Sequence, residues 1–463
     1  MGETLAVPVW LALPAALLAA WAAYDKLVMP TLRWLVARPA NQVIDELSTR
    51  LRIGIRPFQR TRRQALIHRL TTDPKVLQAA ERYAAANRLP LPKAMQRVER
   101  YAREIVPAFN AYLYFRVGYW VGRKLAQSLY RVRLGYVDTA GIAAIDPDAT
   151  VVFVMNHRSN MDYVLAAYLA AEQTTLSYAV GEWARLWPLS ALIRAMGAYF
   201  VRRNSADGLY RRVLERYIAM ATEAGVPQAV FPEGGLSRDG RMREPRLGVL
   251  DYMLRGFRRD GERDLVFVPL GINYDRVLED RTLLSPTKIG RARTIWGTLR
   301  FLAHNLGLAL RSEWHRFGYA CVNFGTPISM RRHAVDFERL SGEERRFAVA
   351  GLGRALMDAV GRVVPVVPVA LIAHVFLERR SLTALDLKAE TGSLLQRLEG
   401  AHVYVPRRDL DYALTVGLRM LTLRRLVEER EGVFSAREEE LPLLRYYANS
   451  IAHLLHAPDG EIR

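Results

Sequence analysis

The apolar positions change their spacing along the chain, and each change predicts an element. Thr4 to Tyr24 holds no charged side chain over the length a helix needs to cross the hydrocarbon, which predicts an N-terminal membrane helix. Pro8 and Pro14 leave open a helix that dips into one leaflet. From Gln42 to Arg133 the pattern is helical, with a helix start at Asp73-Pro74 and a break at Leu89-Pro-Leu-Pro92. Val151 to Met155 is an unbroken, β-branched apolar run, the mark of a strand buried on both faces. Further strands are expected from about Ser177, Gln228, Leu265 and Tyr319, with helices such as Asp207 to Ala224 between them. Strand alternating with helix predicts an α/β class with a mainly parallel sheet flanked by helices. Ser341-Gly-Glu-Glu344 has capping-box spacing and opens a helix to about Arg362. Val363 to Leu377 reads as a core helix, and the remainder as helical and charged, with Arg424 to Glu440 a solvated face.

These elements divide the chain into a membrane anchor (1–30), a helical region (31–135), an α/β unit (136–330) and a C-terminal helical region (331–463). The 463 residues suffice for a substantial core, and 51% hydrophobic residues with a formal charge of +19 describe a basic globular protein rather than a polytopic one. The excess of cations predicts an anionic partner. No zinc-finger spacing, helix-turn-helix cue or aromatic RNA-binding block is present, so anionic membrane lipids fit better than nucleic acid. Lys26, Arg33 and Arg38 follow the apolar run and place the rest of the chain on the cytoplasmic side. Tyr101 to Tyr130 interleaves aromatic and basic residues, as a helix lying on a membrane does and as an amphipathic helix packed on the α/β unit also does. The single cysteine, Cys321, excludes an intrachain disulfide and a cysteine metal cluster.

Candidate chemistry gathers where the Val151 strand breaks into Asn156-His-Arg-Ser-Asn-Met-Asp162. Across a strand end, a loop and a helix start, Asp162 can reach one imidazole nitrogen of His157, fix the tautomer and leave the other nitrogen as a base. Such a pair lacks its own nucleophile, so the hydroxyl must come from a substrate. The bland alternative is a loop histidine beside a helix-start acid. Three more stretches follow in order: Gly197-Ala-Tyr-Phe-Val-Arg-Arg203, Phe231-Pro-Glu-Gly-Gly-Leu-Ser-Arg-Asp-Gly-Arg241 and Val268-Pro-Leu-Gly271.

Together the four blocks resemble those of the glycerolipid acyltransferases, and Asn156 to Tyr163, Gly197 to Arg203 and Glu233 to Arg241 are most similar to the bacterial and mitochondrial glycerol-3-phosphate acyltransferase branch. Leu444 to Leu454 is also similar to a segment of that branch. Asn160 stands where relatives often carry a second histidine, and Leu236 where many carry a basic residue. The resemblance implies transfer of an acyl group from acyl-CoA or acyl carrier protein to glycerol 3-phosphate, with lysophosphatidic acid as the alternative acceptor. A basic membrane-binding protein without catalysis is the reading of another class. His157 and Asp162 would be catalytic. Arg202, Arg203, Arg238 and Arg241 would face the acceptor phosphate, because arginine's planar fork matches phosphate oxygens. Glu233 would bond a glycerol hydroxyl, Gly234 and Gly235 would let the backbone approach the ligand, and Ser237 belongs to the same loop. Backbone N–H groups at the helix start after Ser159 are expected as oxyanion donors. No metal or bound cofactor is implied.

Overall fold

The computed structural model describes residues 56–110, 113–170, 176–180, 194–202, 205–284 and 317–455. The expected anchor at Thr4 to Tyr24, and Arg203, lie outside the described residues. Among the described residues no helix is long and apolar enough to cross a membrane.

One large sheet organises the fold. Its strands are β1 (Arg131–Val137), β2 (Thr150–Met155), β3 (Ser177–Val180), β4 (Tyr199–Phe200), β5 (Gln228–Val230), β6 (Leu265–Tyr274), β7 (Tyr319–Phe324) and β8 (Ile328–Ser329). They lie in the order β1-β7-β6-β2-β5-β3-β4, with β8 paired to β6. β2 is central, parallel to both β5 and β6. Parallel ladders also join β3 to β4 and β5, and β1 to β7. The sheet is nonetheless mixed, because β7 and β8 both run antiparallel to β6. Among the described residues five of its seven ladders are parallel, in keeping with the mainly parallel sheet expected; the two antiparallel ones arise because the chain doubles back after β6, and periodicity does not report strand direction.

Both faces of β2 are covered, as its unbroken apolar run requires. Val151, Phe153 and Met155 join one apolar cluster with helices Met161–Ala170, Pro368–Glu378 and Leu441–Ala448. Val152 and Val154 face the other way, into a cluster with helices Pro74–Ala86, Leu91–Ile105, Gly208–Glu223 and Gly342–Arg362. Each such side chain contributes roughly 1.5–3 kcal/mol by leaving water, so the central strand is firmly held and its carboxyl end is a fixed platform.

Local signals explain several boundaries. Asp73 caps the helix at Pro74 by accepting from Lys75 N and Val76 N. Asp207 does the same for Leu209 N and Tyr210 N. Other expectations fail. Ser341 precedes the helix Gly342–Arg362 without a side-chain cap bond, so no capping box forms there. The helical reading to Arg133 ends early, because Arg131–Val137 is the edge strand β1, parallel to β7. The segment read as a solvated helical face contains a hairpin, β10 (Val427–Arg430) with β11 (Val433–Ala436), and β11 also pairs with β9 (Ser381–Thr383). Its turn is Glu431-Gly432, both at positive φ (51° and 77°), the backbone that two-residue hairpin turns demand. The core helix expected over Val363 to Leu377 forms only from Pro368, as Pro368–Glu378, and is buried from Pro368 to Ala373; Val363 closes the preceding helix and Val367 is extended.

Candidate active site

The site forms where β2 ends. Asn156 continues the ladder with its side chain: Nδ2 donates to Ile272 O (2.9 Å) and Oδ1 accepts from Ile272 N (2.8 Å). This welds the start of the loop to β6. His157 follows, buried, with Nδ1 3.0 Å from Asp162 Oδ2.

Asp162 is held as firmly as the ring it orients. Its Oδ2 also accepts from Arg158 N (2.7 Å) and Ser159 N (3.0 Å), and Oδ1 accepts from Tyr274 Oη (2.5 Å). Burial, reinforced by the Asp162 charge, pushes the Tyr274 phenol well above its ordinary pKa, so it remains a donor. A carboxylate only accepts, so the imidazole carries its hydrogen on Nδ1 and its lone pair on Nε2. Nε2 has no hydrogen-bond partner among the described residues. The ring stacks on Phe231 (centroids 4.2 Å apart) and meets Tyr163 edge-on (5.4 Å). The plane of the imidazole is thereby fixed on two sides.

Glu233 is the second buried acid. Its Oε1 accepts from His157 N (3.0 Å), while Oε2 has no partner among the described residues. Burial raises its pKa to about 7 despite the His157 amide and the nearby Arg158 and Arg243 charges. The loop after it is pinned over the histidine, since Ser237 N donates to His157 O (3.0 Å). Ser237 Oγ serves the loop itself, donating to Arg241 O (2.7 Å) and accepting from Gly240 N (3.0 Å). Gly234 sits at φ +67°, and a Cβ there would lie 2.5 Å from Arg246 Cδ, so this glycine makes room for Arg246.

The proposed oxyanion donors are not available in this arrangement. The amides of Arg158 and Ser159 point at Asp162, that of Asn160 at Glu279 (3.3 Å) and that of Met161 at Ser159 Oγ (3.1 Å). The helix start is closed by side chains, Asp162 from its first turn, Ser159 from just before it and Glu279 from a distant loop, a use of N-terminal amides that capping chemistry favours. Glu279 had no sequence signal, yet it takes Ser159 Oγ (2.8 Å) and Asn160 Nδ2 (3.0 Å) as well. Tyr274 was missed for the same reason: its partner Asp162 is far away in sequence.

The arginines scatter. Arg202, beyond β4, is bidentate to Glu104 (2.9 and 2.6 Å) and lies over the rings of Tyr101 (5.0 Å) and Tyr210 (4.9 Å). Its Nη1 is the part of the fork that Glu104 leaves open. Arg238 and Arg241 are exposed on the loop. Arg158, which was not a candidate, is buried, with Nη1 donating to Gly240 O (2.5 Å) and the guanidinium over Tyr446 (4.8 Å). A cavity of about 750 Å³ lies elsewhere, at the β1 edge, lined by residues such as Tyr136, Cys321, His402 and Arg408 and by no residue of the four blocks. Among the described residues no cluster of histidine, cysteine and acidic groups is arranged to hold a metal.

The buried histidine oriented by aspartate at the carboxyl end of the central strand, with the acid-bearing loop folded over it, lies within residues 137–273, which match a family model described as acyltransferase. A second model, the glycerol-3-phosphate acyltransferase C-terminal region, matches residues 306–458. Among curated relatives, the glycerol-3-phosphate acyltransferase of Pseudomonas putida (strain KT2440) is 29% identical over 86% of this chain and 49% of its own length. That of Haemophilus ducreyi is 28% identical over 86% of this chain and 50% of its own length. The chain thus spans about half the length of the curated relatives it matches. Among solved structures, the 1-acyl-sn-glycerophosphate acyltransferase of Thermotoga maritima superposes with a TM-score of 0.32 at 18% identity, covering 53% of this chain and 78% of that one.

Proposed function

We propose that this chain is a membrane-associated acyltransferase that moves a fatty acyl group from a thioester donor, acyl-CoA or acyl carrier protein, to glycerol 3-phosphate, giving lysophosphatidic acid. The observation that carries the reading is the His157–Asp162 pair, whose Nδ1 is held at 3.0 Å while Nε2 has no partner among the described residues. Nε2 takes the acceptor's hydroxyl proton as the oxygen attacks the thioester carbonyl. The tetrahedral intermediate collapses, the C–S bond breaks, and the proton passes from the imidazolium to the departing thiolate. Asp162 stabilises the imidazolium without itself taking the proton. Glu233 Oε2 is the acceptor for a second hydroxyl of the glycerol, which its open oxygen supports.

The acceptor phosphate is assigned to arginine from two loops, Arg202 with Arg203 and Arg238 with Arg241. Arg202 keeps only Nη1 clear of Glu104, so phosphate binding there shares the guanidinium with an existing ion pair. Membrane attachment is assigned to Thr4–Tyr24, with the catalytic unit on the cytoplasmic side and anionic lipids attracted by the +19 charge.

The test is a product assay offering glycerol 3-phosphate and lysophosphatidic acid in parallel, each with acyl-CoA and acyl carrier protein donors. Lysophosphatidic acid formed from glycerol 3-phosphate supports the reading. Phosphatidic acid formed from lysophosphatidic acid alone replaces the acceptor, and thiol release with neither acceptor enhanced overturns it.

A further inference from the structure

The segment that follows β10 and β11 returns to the catalytic loops through the helix Leu441–Ala448 and the turn after it. Tyr447 Oη accepts from Val277 N (3.1 Å) and bonds Asp280, which also takes Arg424 Nη2 (2.5 Å). Asp280 neighbours Glu279, the residue holding Ser159 and Asn160. Asn449 Nδ2 donates to Asp239 O (2.8 Å), on the loop that covers His157. Gly240 sits at φ +88° with its Cα so close to the helix that a Cβ would lie 1.9 Å from Tyr446 O. Between these contacts the ring of Tyr446 lies under the Arg158 guanidinium, 4.8 Å from centroid to Cζ.

Arg158 joins all of these parts. Its backbone N–H donates to the same Asp162 oxygen that orients His157, and its Nη1 donates to Gly240 O. A shift of the guanidinium therefore moves a donor of Asp162 at one end and the Glu233–Arg241 loop at the other. Arg158 is 3% exposed, and its Nε and Nη2 have no hydrogen bond among the described residues, so the tyrosine face is one of the few groups that meet its charge there.

We infer that the helix Leu441–Ala448 positions the catalytic base, with Tyr446 as the positioning residue that acts through Arg158 on the His157–Asp162 pair. The inference rests on the acyltransferase reading for its kinetic test and on geometry alone for its spectroscopic one. Tyr446 Oη is buried and has no partner among the described residues, so it is the ring face that matters and Y446F should keep the function.

The experiment compares full-length wild type, Y446F, Y446L and N449A. Four quantities are read: kcat, KM for glycerol 3-phosphate, Tm, and the His157 imidazole NMR signal, identified by its absence in H157Q. Loss of a desolvated cation–π contact predicts a fall in kcat of roughly 5- to 30-fold for Y446L. KM should change less, the His157 signal should move, and Y446F should match wild type in every reading. N449A, at the more exposed end of the clamp, keeps the proposal testable if Y446L does not fold; it should lower kcat several-fold and shift the same signal. The proposal is overturned if Y446L or N449A leaves kcat and the His157 signal unchanged, or if Y446F loses as much as Y446L. Should wild type transfer nothing to glycerol 3-phosphate, the functional reading fails, and the His157 signal in Y446L and N449A still decides whether the helix positions the ring.

Discussion

Tyr274 Oη donates to Asp162 Oδ1 at 2.5 Å, from the last residue of β6 to the first turn of a helix that follows β2. The bond leaves Oδ2 for His157 and two loop amides, so the imidazole is oriented by a carboxylate that is itself oriented. Tyr274→Phe removes one buried donor to a charged acceptor and keeps the ring. A bond of that kind is worth roughly 1.5–3 kcal/mol, so kcat should fall by about ten- to a hundredfold. Steady-state kinetics on a variant shown by Tm to be folded checks this.

Glu233 gives stability a pH dependence of its own. Its folded pKa, raised to about 7 by burial, stands above the 4.5 of an exposed glutamate. The folded state therefore holds a proton that the unfolded state gives up as pH rises from 4.5. Its stabilising contribution is full below pH 4.5 and is lost as pH climbs to 7, by about 3 kcal/mol over the whole interval. Glu233→Gln cannot ionise, so relative to wild type it should gain stability between pH 4.5 and 7 and change little above that. Denaturant titrations of both proteins across this range measure the difference.

Arg202 tests the acceptor. Loss of a charge-assisted contact to a desolvated phosphate costs roughly 2–5 kcal/mol, so Arg202→Ala should lose about thirty- to several-thousandfold in kcat/KM for glycerol 3-phosphate. KM for the donor should hardly change. Glu104→Gln, which keeps the shape of the ion-pair partner and removes its charge, should leave Arg202 freer and not raise KM for glycerol 3-phosphate. If Arg202→Ala weakens the donor instead, the guanidinium grips coenzyme A.

The anchor is tested by deletion. Removing residues 1–24 should shift much of the protein out of the membrane fraction, while the basic surface retains a salt-sensitive remainder. Sedimentation before and after a high-salt wash separates the two. Full retention after the wash would move the anchor to another segment, the aromatic and basic stretch from Tyr101 being next in line.

How much of this was legible in the sequence follows from how local each signal is. β2, His157 and Asp162 lie within 13 residues, Thr150 to Asp162, and an apolar run breaking into a polar loop announces them. β3, β5, β6 and β7 could be read because a short, mostly apolar run makes up each of them, although β3 and β5 begin on the polar Ser177 and Gln228. Tyr274, Glu279 and Tyr446 could not be assigned roles, since each meets the site through folding across more than a hundred residues. Arg202 was visible as a cation, but its partner Glu104 belongs to a helix 98 positions earlier. The β10–β11 hairpin was hidden by its charges, which made a strand pair resemble a solvated helix until the positive φ of Glu431 and Gly432 showed the turn.

The central claim is that His157 Nε2 removes the acceptor's proton. The most direct measurement is single-turnover acyl transfer to glycerol 3-phosphate by wild type, His157→Ala and Asp162→Asn, each confirmed as folded. Both variants should lose roughly 10²–10⁴-fold, with donor binding retained. A folded His157→Ala protein that transfers the acyl group at a rate near wild type would contradict it.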